Sequence, residues 1–326
     1  CEKKVDGTVV DQGVICANRA RLTEWAEKRT AEWIGAMEAT LFTGWIYDFL
    51  LPYALELKVA HPEMLKAITA AKKKNDAADA EKIADLLRCD LLPECYMAPE
   101  EQRNLRRILR YRNFLVREAA KMKTKTAGLL MEVGAEYNKE KLHGVKYFRE
   151  LLDRLDYVPE SVLSLLQMTR SNMESFAKMQ KTLICALLSN PRISNRVALL
   201  MSIKGVGEVT ALTWVLEIGE VERFSRISQA ISYCGLCSAQ KESAGKNYRG
   251  PISKKRNKHL QTVLIEAAKL APRWNPRLAE VYEQEYAKGN RNRATLAVAR
   301  KLVAYMMAVD KKKTPFEPRE VLPKAA

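Results

Sequence analysis

Three histidines in 326 residues, His61, His143 and His259, leave little material for a histidine triad or a histidine metal cage. Long apolar runs are also missing. No stretch approaches the ~18 residues needed to cross a bilayer, and no secretory leader precedes the first structured segment, so no membrane association is expected. The seven cysteines are odd in number and scattered, which excludes a disulfide framework and reads as free thiols in a reducing cytoplasm. Cys234 and Cys237 form a C-x-x-C, but no second pair accompanies them, which argues against zinc.

Acidic residues are the last shortage. Asp and Glu number 39 against 55 Lys and Arg, a formal net charge of +16, so a polyanion is drawn to much of the surface, and nucleic acid is the commonest such partner. The length suffices for two ordinary cores.

The chain opens at Cys1 on what reads as part of a β-hairpin, with Asp6-Gly7 as its turn, and an earlier stretch is expected to be missing. A helix over 19–30 and strand-like runs at Trp33–Ala39 and Leu55–Ala60 follow. Strands alternating with helices predict an α/β domain over 1–98. From about Glu100, apolar residues recur at spacings of three and four, first from Leu105 to Leu129 and then from Val162 to Leu183. These predict two long helices over 99–189, packed either as a coiled-coil stalk or as ordinary bundle helices. Between Arg103 and Lys125 nine Arg or Lys face a single acid, Glu118, which predicts a helix lying along phosphate, with Arg106 and Arg110 among the contacts. A mostly helical third section, 190–326, ends in a Pro- and Lys-rich tail.

Three segments carry candidate chemistry. Glu38 ends the strand EWIGAME, while Asp76 and Asp79 share a helical face three residues apart. Paired carboxylates repel unless a divalent cation sits between them, so the three are candidate Mg²⁺ (or Mn²⁺) ligands; the alternative is a helix cap and a first-turn acid. In IKGVGEVTA, Gly205 and Gly207 make a tight turn between apolar helical stretches, as in a helix-hairpin-helix whose backbone amides, beside Lys204, meet a phosphate; the same turn would also serve packing alone. Residues 240–260 hold seven Lys or Arg, among them Lys246, Arg249, Lys254, Lys255 and Arg256, with Gly245, Gly250 and Pro251, and predict an irregular cationic loop. Ser243 in that loop is a candidate nucleophile on phosphorus, although most loop serines are inert. A basic turn at 288–293 feeds an apolar helix, and the five tryptophans, including Trp214 and Trp274, are expected in the core.

The succession IKGVGEVTA, FSRISQAISYCGL, ESAGKNYRGPISKKRNKHLQTVLIEAA and RATLAVARKLVAYMM resembles the C-terminal domain of the insertion-sequence 110 family of transposases. Upstream, EATLFTGWIYDFL, the VAHP strand end and KKKNDAADAEKIADLL resemble that family's RuvC-like domain, so the likeness covers nearly the whole chain in order. It implies an RNase H/RuvC-like α/β domain with four metal-binding carboxylates, coiled-coil helices, and a helical domain bearing a catalytic serine. Glu38, Asp76 and Asp79 match the second to fourth carboxylates; the first would precede Cys1. The serine matches Ser243, with one residue inserted in the Ser-Gly pattern and with Ser238 and Ser253 as competitors. The likeness further implies a covalent phosphoserine link to DNA, targeting by a structured noncoding RNA, a homodimer or homotetramer, and a cytoplasmic place at the nucleoid. Two other readings stay open: a RuvC-like nuclease that cuts junctions with its metal site alone, and a nucleic-acid-binding remnant that has lost catalysis.

Overall fold

Asp6 and Gly7 turn the chain as their types allow. Gly7 has φ +93° and the Asp6 carboxylate accepts from the Thr8 amide at 2.8 Å, closing β1 (Glu2–Lys3) against antiparallel β2 (Val9–Asp11). In this computed structural model residues 1–68, 75–243 and 245–318 are described. The chain divides into two units, residues 1–101 and 102–326.

In the first unit, α1 (Arg19–Glu27) starts at Asn18, whose side chain accepts from the Arg21 amide. The strands β3 (Ile34–Glu38) and β4 (Glu56–Ala60) run parallel, from Ile34 opposite Glu56 to Glu38 opposite Ala60. A parallel pair cannot be joined by a tight turn, and α2 (Thr43–Leu50) supplies the crossover. Then come α3 (Pro62–Ile68) and α4 (Asp76–Arg88). Leu22, Ala26, Leu50 and Leu57 form a small core among Trp25, Trp33, Trp45 and Phe49. Lys3 ties β1 to α4 through Asp85 at 2.8 Å and Glu81 at 3.1 Å.

In the second unit, α5 (Glu100–Glu132) and α7 (Glu160–Leu188) run antiparallel between two cores, with α6 (Val145–Leu152) at one end. The start of α5 and the end of α7 give Leu109, Ile184 and Leu187 to the large core, and their other ends give Leu129, Leu130 and Leu166 to a smaller one with Phe148 and Leu151. Between the cores the two helices meet through Thr126 and Thr169, whose hydroxyls are 2.9 Å apart. The large core is built by α8 (Ser194–Met201), α9 (Glu208–Ile218), α10 (Ile227–Tyr233), α11 (Lys258–Leu270), α12 (Pro276–Tyr286) and α13 (Arg291–Lys312). The expected boundary near 190 falls inside this unit, because α5 and α7 feed the same core as α8 and α9.

One expectation is corrected here. Residues 240–260 were expected to be irregular, yet β5 (Ser238–Ser243) and β6 (Lys246–Ile252) form an antiparallel ribbon. Two residues connect the strands, and Gly245 takes φ +74°, the left-handed conformation such a turn needs. The glycines that pointed to an irregular loop are therefore turn and ribbon residues: Gly250 faces Ala239 across the pair.

Candidate active site

Helix α9 is apolar all round, so it is buried on every side; each residue from Ala211 to Ile218 is inside. That burial strands one charge, Glu217, whose side chain is 0% exposed. An isolated buried carboxylate is too costly to keep ionised, and it is met from three directions. Arg110 grips it with two hydrogen bonds, 2.8 and 2.9 Å, Arg106 stands 3.7 Å away, and the Asn257 side-chain amide donates to it at 2.8 Å. Burial pushes the Glu217 carboxyl up, but the Arg110 hydrogen bonds and charge, with Asn257 and Arg106, outweigh it and hold the group below its ordinary value. Arg106 and Arg110, expected on phosphate, both pair with Glu217, Arg106 also donates to the Leu216 carbonyl, and the Arg110 side chain stays half exposed. Farther along α5, Arg117, Lys121, Lys123 and Lys125 are exposed. The signal that could have revealed Glu217 was in view: one carboxylate inside an otherwise apolar helix.

The basic ribbon leaves this core at two roots. Going in, the Gly235 carbonyl accepts from Gln261 at 2.6 Å and the Leu236 carbonyl from Arg300 at 2.8 Å. Coming out, the Ser253 amide donates to the Cys237 carbonyl and the Asn257 amide to the Tyr233 carbonyl, both at 3.0 Å. Ser243 is the last residue of β5, opposite Lys246, and is exposed at the tip. Its competitors sit differently: Ser238 is at the root of β5, and the Ser253 hydroxyl accepts from the Lys255 amide in a local turn. Lys246, Lys254, Lys255 and Arg256 are exposed, while the Arg249 side chain lies outside the described residues.

In the glycine turn, Gly205 has φ +100° and backs onto Ala271, whereas Gly207 is exposed ahead of α9 with open space where a Cβ would stand, and Lys204 is exposed beside them. Trp214 is fully buried, its indole N–H bonded to Asp310 at 2.8 Å. Trp274 is 52% exposed, against its expected place in the core; it follows the short turn Ala271–Arg273, whose buried residue is Ala271.

In the first unit, Glu38 closes β3, and its carbonyl accepts from the Thr43 hydroxyl. Asp76 and Asp79 lie in the first turn of α4, which packs on β3. The cap itself is Asn75, accepting from the Ala78 amide at 2.6 Å, so neither aspartate is needed for capping. The three carboxylates offer oxygen alone, the donor chemistry of a hard divalent cation. Among the described residues no three His, Cys, Asp or Glu side chains close as a metal cage. The residues fit such a cation in kind, but the structure does not bring the three carboxylates together as one cluster. All seven cysteines are free thiols, and no described helix is long and apolar enough to cross a membrane.

Comparison with known proteins resolves the class. Residues 4–134 match a DEDD-type transposase family of the insertion-sequence 110 kind, and residues 197–283 match the transposase IS116/IS110/IS902 family. The transposase for insertion sequence element IS1111A of Coxiella burnetii is 25% identical over 266 residues, 78% of this chain and 71% of that protein. The transposase for insertion sequence element IS1328 of Yersinia enterocolitica is 22% identical over 293 residues, 87% of this chain and 85% of that protein. An α/β unit with a parallel strand pair and a helical unit bearing a basic ribbon define, with these matches, a DNA transposase, an enzyme of DNA recombination. The chain belongs to the insertion-sequence 110 family. Its family implies DNA binding, and the DEDD designation suggests dependence on a divalent metal.

Proposed function

We propose that this transposase cuts and joins the DNA of its insertion sequence through Ser243. The observation that carries the reading is the place of that residue: an exposed hydroxyl at the tip of a cationic ribbon whose roots are hydrogen-bonded into the core. In the reaction, Ser243 Oγ attacks a phosphodiester phosphorus and loses its proton, a new Oγ–P bond forms, and the bond to one strand oxygen breaks, that oxygen leaving as a hydroxyl. The ester keeps the strand activated until a hydroxyl of the second DNA attacks the phosphorus and frees the serine. Lys246, directly across the ribbon, offsets the charge that develops on the attacked phosphate.

Glu38, Asp76 and Asp79 would hold Mg²⁺ or Mn²⁺, which when bound stabilises negative charge on phosphate oxygens. Lys204, Gly205, Gly207, Lys246, Arg249, Lys254, Lys255 and Arg256 would follow phosphates, the glycines through backbone amides of a helix-hairpin-helix. The +16 charge supports holding a structured guide RNA together with two DNAs. Recombination needs several active sites at once, so the working form is a homodimer or homotetramer, with the antiparallel arm of α5 and α7 as a coiled-coil contact.

The test incubates the full chain with divalent metal, element-end DNA and RNA transcribed from the element's noncoding flank, and looks for a covalent adduct on a denaturing gel. An adduct lost in Ser243→Ala supports the reading. An adduct that survives moves the nucleophile elsewhere, and metal-dependent cutting with no adduct makes the chain a RuvC-like nuclease.

A further inference from the structure

We infer that Glu217 is a positioning residue for the reaction: through Asn257 it sets the root, and thereby the aim, of the ribbon that carries Ser243. The inference rests on the assignment of Ser243 above.

Asn257 is engaged on every side, and its carbonyl also accepts from the Gln261 amide. Its side-chain amide donates to Glu217 Oε2 at 2.8 Å, its side-chain oxygen accepts from the His259 and Leu260 amides at the start of α11, and its own amide donates to the Tyr233 carbonyl. Tyr233 closes the loop, since its hydroxyl donates to the Glu217 carbonyl at 3.2 Å. Only four residues separate Asn257 from Ile252, the end of β6, and Ile252 pairs with Ser238, the start of β5. The outgoing strand is therefore fixed by one residue, to α9 through its side chain, to α10 through its amide and to α11 through both side chain and carbonyl. The close passage of Arg256 over Gly235, where any Cβ would collide with its stem, fixes the incoming strand against the outgoing one. Glu217 is itself immobilised by Arg110 and Arg106 of α5, so it is a rigid reference on which Asn257 is hung.

A ribbon about six residues long turns a small rotation at its root into an ångström-scale displacement at its tip, and a misplacement of about 1 Å costs a reaction up to about a hundredfold. Among the described residues nothing in the network touches the tip, so its loss alters aim and leaves the exposed cations in place.

Asn257→Ser separates the two roles of that side chain, because serine still caps α11 but is too short to reach Glu217. In the full chain, adduct formation at saturating DNA is expected to slow by about tenfold or more, with DNA affinity kept within about twofold. Amide hydrogen exchange over 238–252 is expected to quicken while that of α9 and α13 does not. A merely structural loss would instead quicken exchange in α9 and α13 as well and lower DNA affinity together with the rate. The inference is overturned if Asn257→Ser reacts like the parent, if exchange in the ribbon is unchanged, or if exchange in α9 and α13 quickens as much as that of the ribbon. Should Ser243→Ala still form the adduct, the nucleophile assignment fails by itself, and the exchange comparison, which needs no chemistry, separates that failure from this one.

Discussion

Gly205 lies against Ala271 so closely that a Cβ on it would stand 2.5 Å from the Ala271 Cβ and 2.7 Å from its Cα. With φ at +100°, the turn between α8 and α9 is possible only without a side chain. Gly205→Ala adds backbone strain and overlap with a buried residue and is expected to cost about 2–4 kcal/mol. Gly207 has ordinary φ and open space, so Gly207→Ala should stay within about 1 kcal/mol. Urea unfolding of the two variants checks this, and equal losses would refute it. If the turn also meets phosphate through amides, Gly207→Pro, which deletes one, should weaken DNA binding with less loss of stability than Gly205→Ala.

Acid should destabilise the second unit in two stages. Burial holds His259 below its ordinary 6.5, and the folded protein therefore binds fewer protons there than the unfolded chain. Stability is fully present above about 6.5 and drains as pH falls toward the lowered folded value. Glu217 has the same sign in a lower window: its folded value lies under the ordinary 4.5, so its contribution is complete above about 4.5 and is lost below. Urea midpoints measured at stepped pH should show both limbs, the upper one absent in His259→Gln and the lower one flattened in Glu217→Gln. A stability that is level from pH 7 to 4 would contradict this.

Salt should distinguish the cations on DNA from those in the fold. Log affinity falls with log salt by about 0.9 per phosphate neutralised. Replacing exposed Lys254 and Lys255 together by Ala should lower that slope by up to about 2 with little change in stability. Arg110→Ala should do the reverse, leaving the slope nearly unchanged but destabilising by about 3–5 kcal/mol because Glu217 stays behind, buried. Fluorescence anisotropy across a salt series, with thermal melts, reads both quantities. A slope change for Arg110→Ala as large as for the lysine pair would return Arg110 to the DNA surface.

Local patterns were legible in the sequence, and long-range partners were not. The Asp6-Gly7 turn, the strands ending at Glu38 and Ala60, and the long helices follow from residue type and period, which act over a few positions. The ribbon at 238–252 is not legible because Gly, Pro and Lys mark a loop as readily as a two-stranded turn, and its roots are anchored by Gln261, Arg300 and, through Asn257, Glu217, pairings that local pattern does not reveal. The ion pair of Arg106 and Arg110 with Glu217 is hidden for the same reason. A row of cations predicts a phosphate until a buried acid more than a hundred residues later claims two of them. Trp274 was misplaced because apolar character alone does not say which tryptophan the core has room for: Trp214 is sealed by its bond to Asp310, and Trp274 sits past the buried end of a short turn.

Among the described residues the β5–β6 ribbon has no third strand, so both of its long edges present unpaired backbone amides and carbonyls to solvent. Such edges invite a second ribbon to zip alongside, and the proposed homodimer or homotetramer would bring identical edges together at high local concentration. The formal positive charge of this segment answers that hazard: two ribbons approaching in register would crowd like charges, while a polyanion between them removes the repulsion. On the proposed reading, the lysines that would meet a phosphate backbone would thus also keep unoccupied copies apart, and self-association through these edges would become conditional on nucleic acid being present.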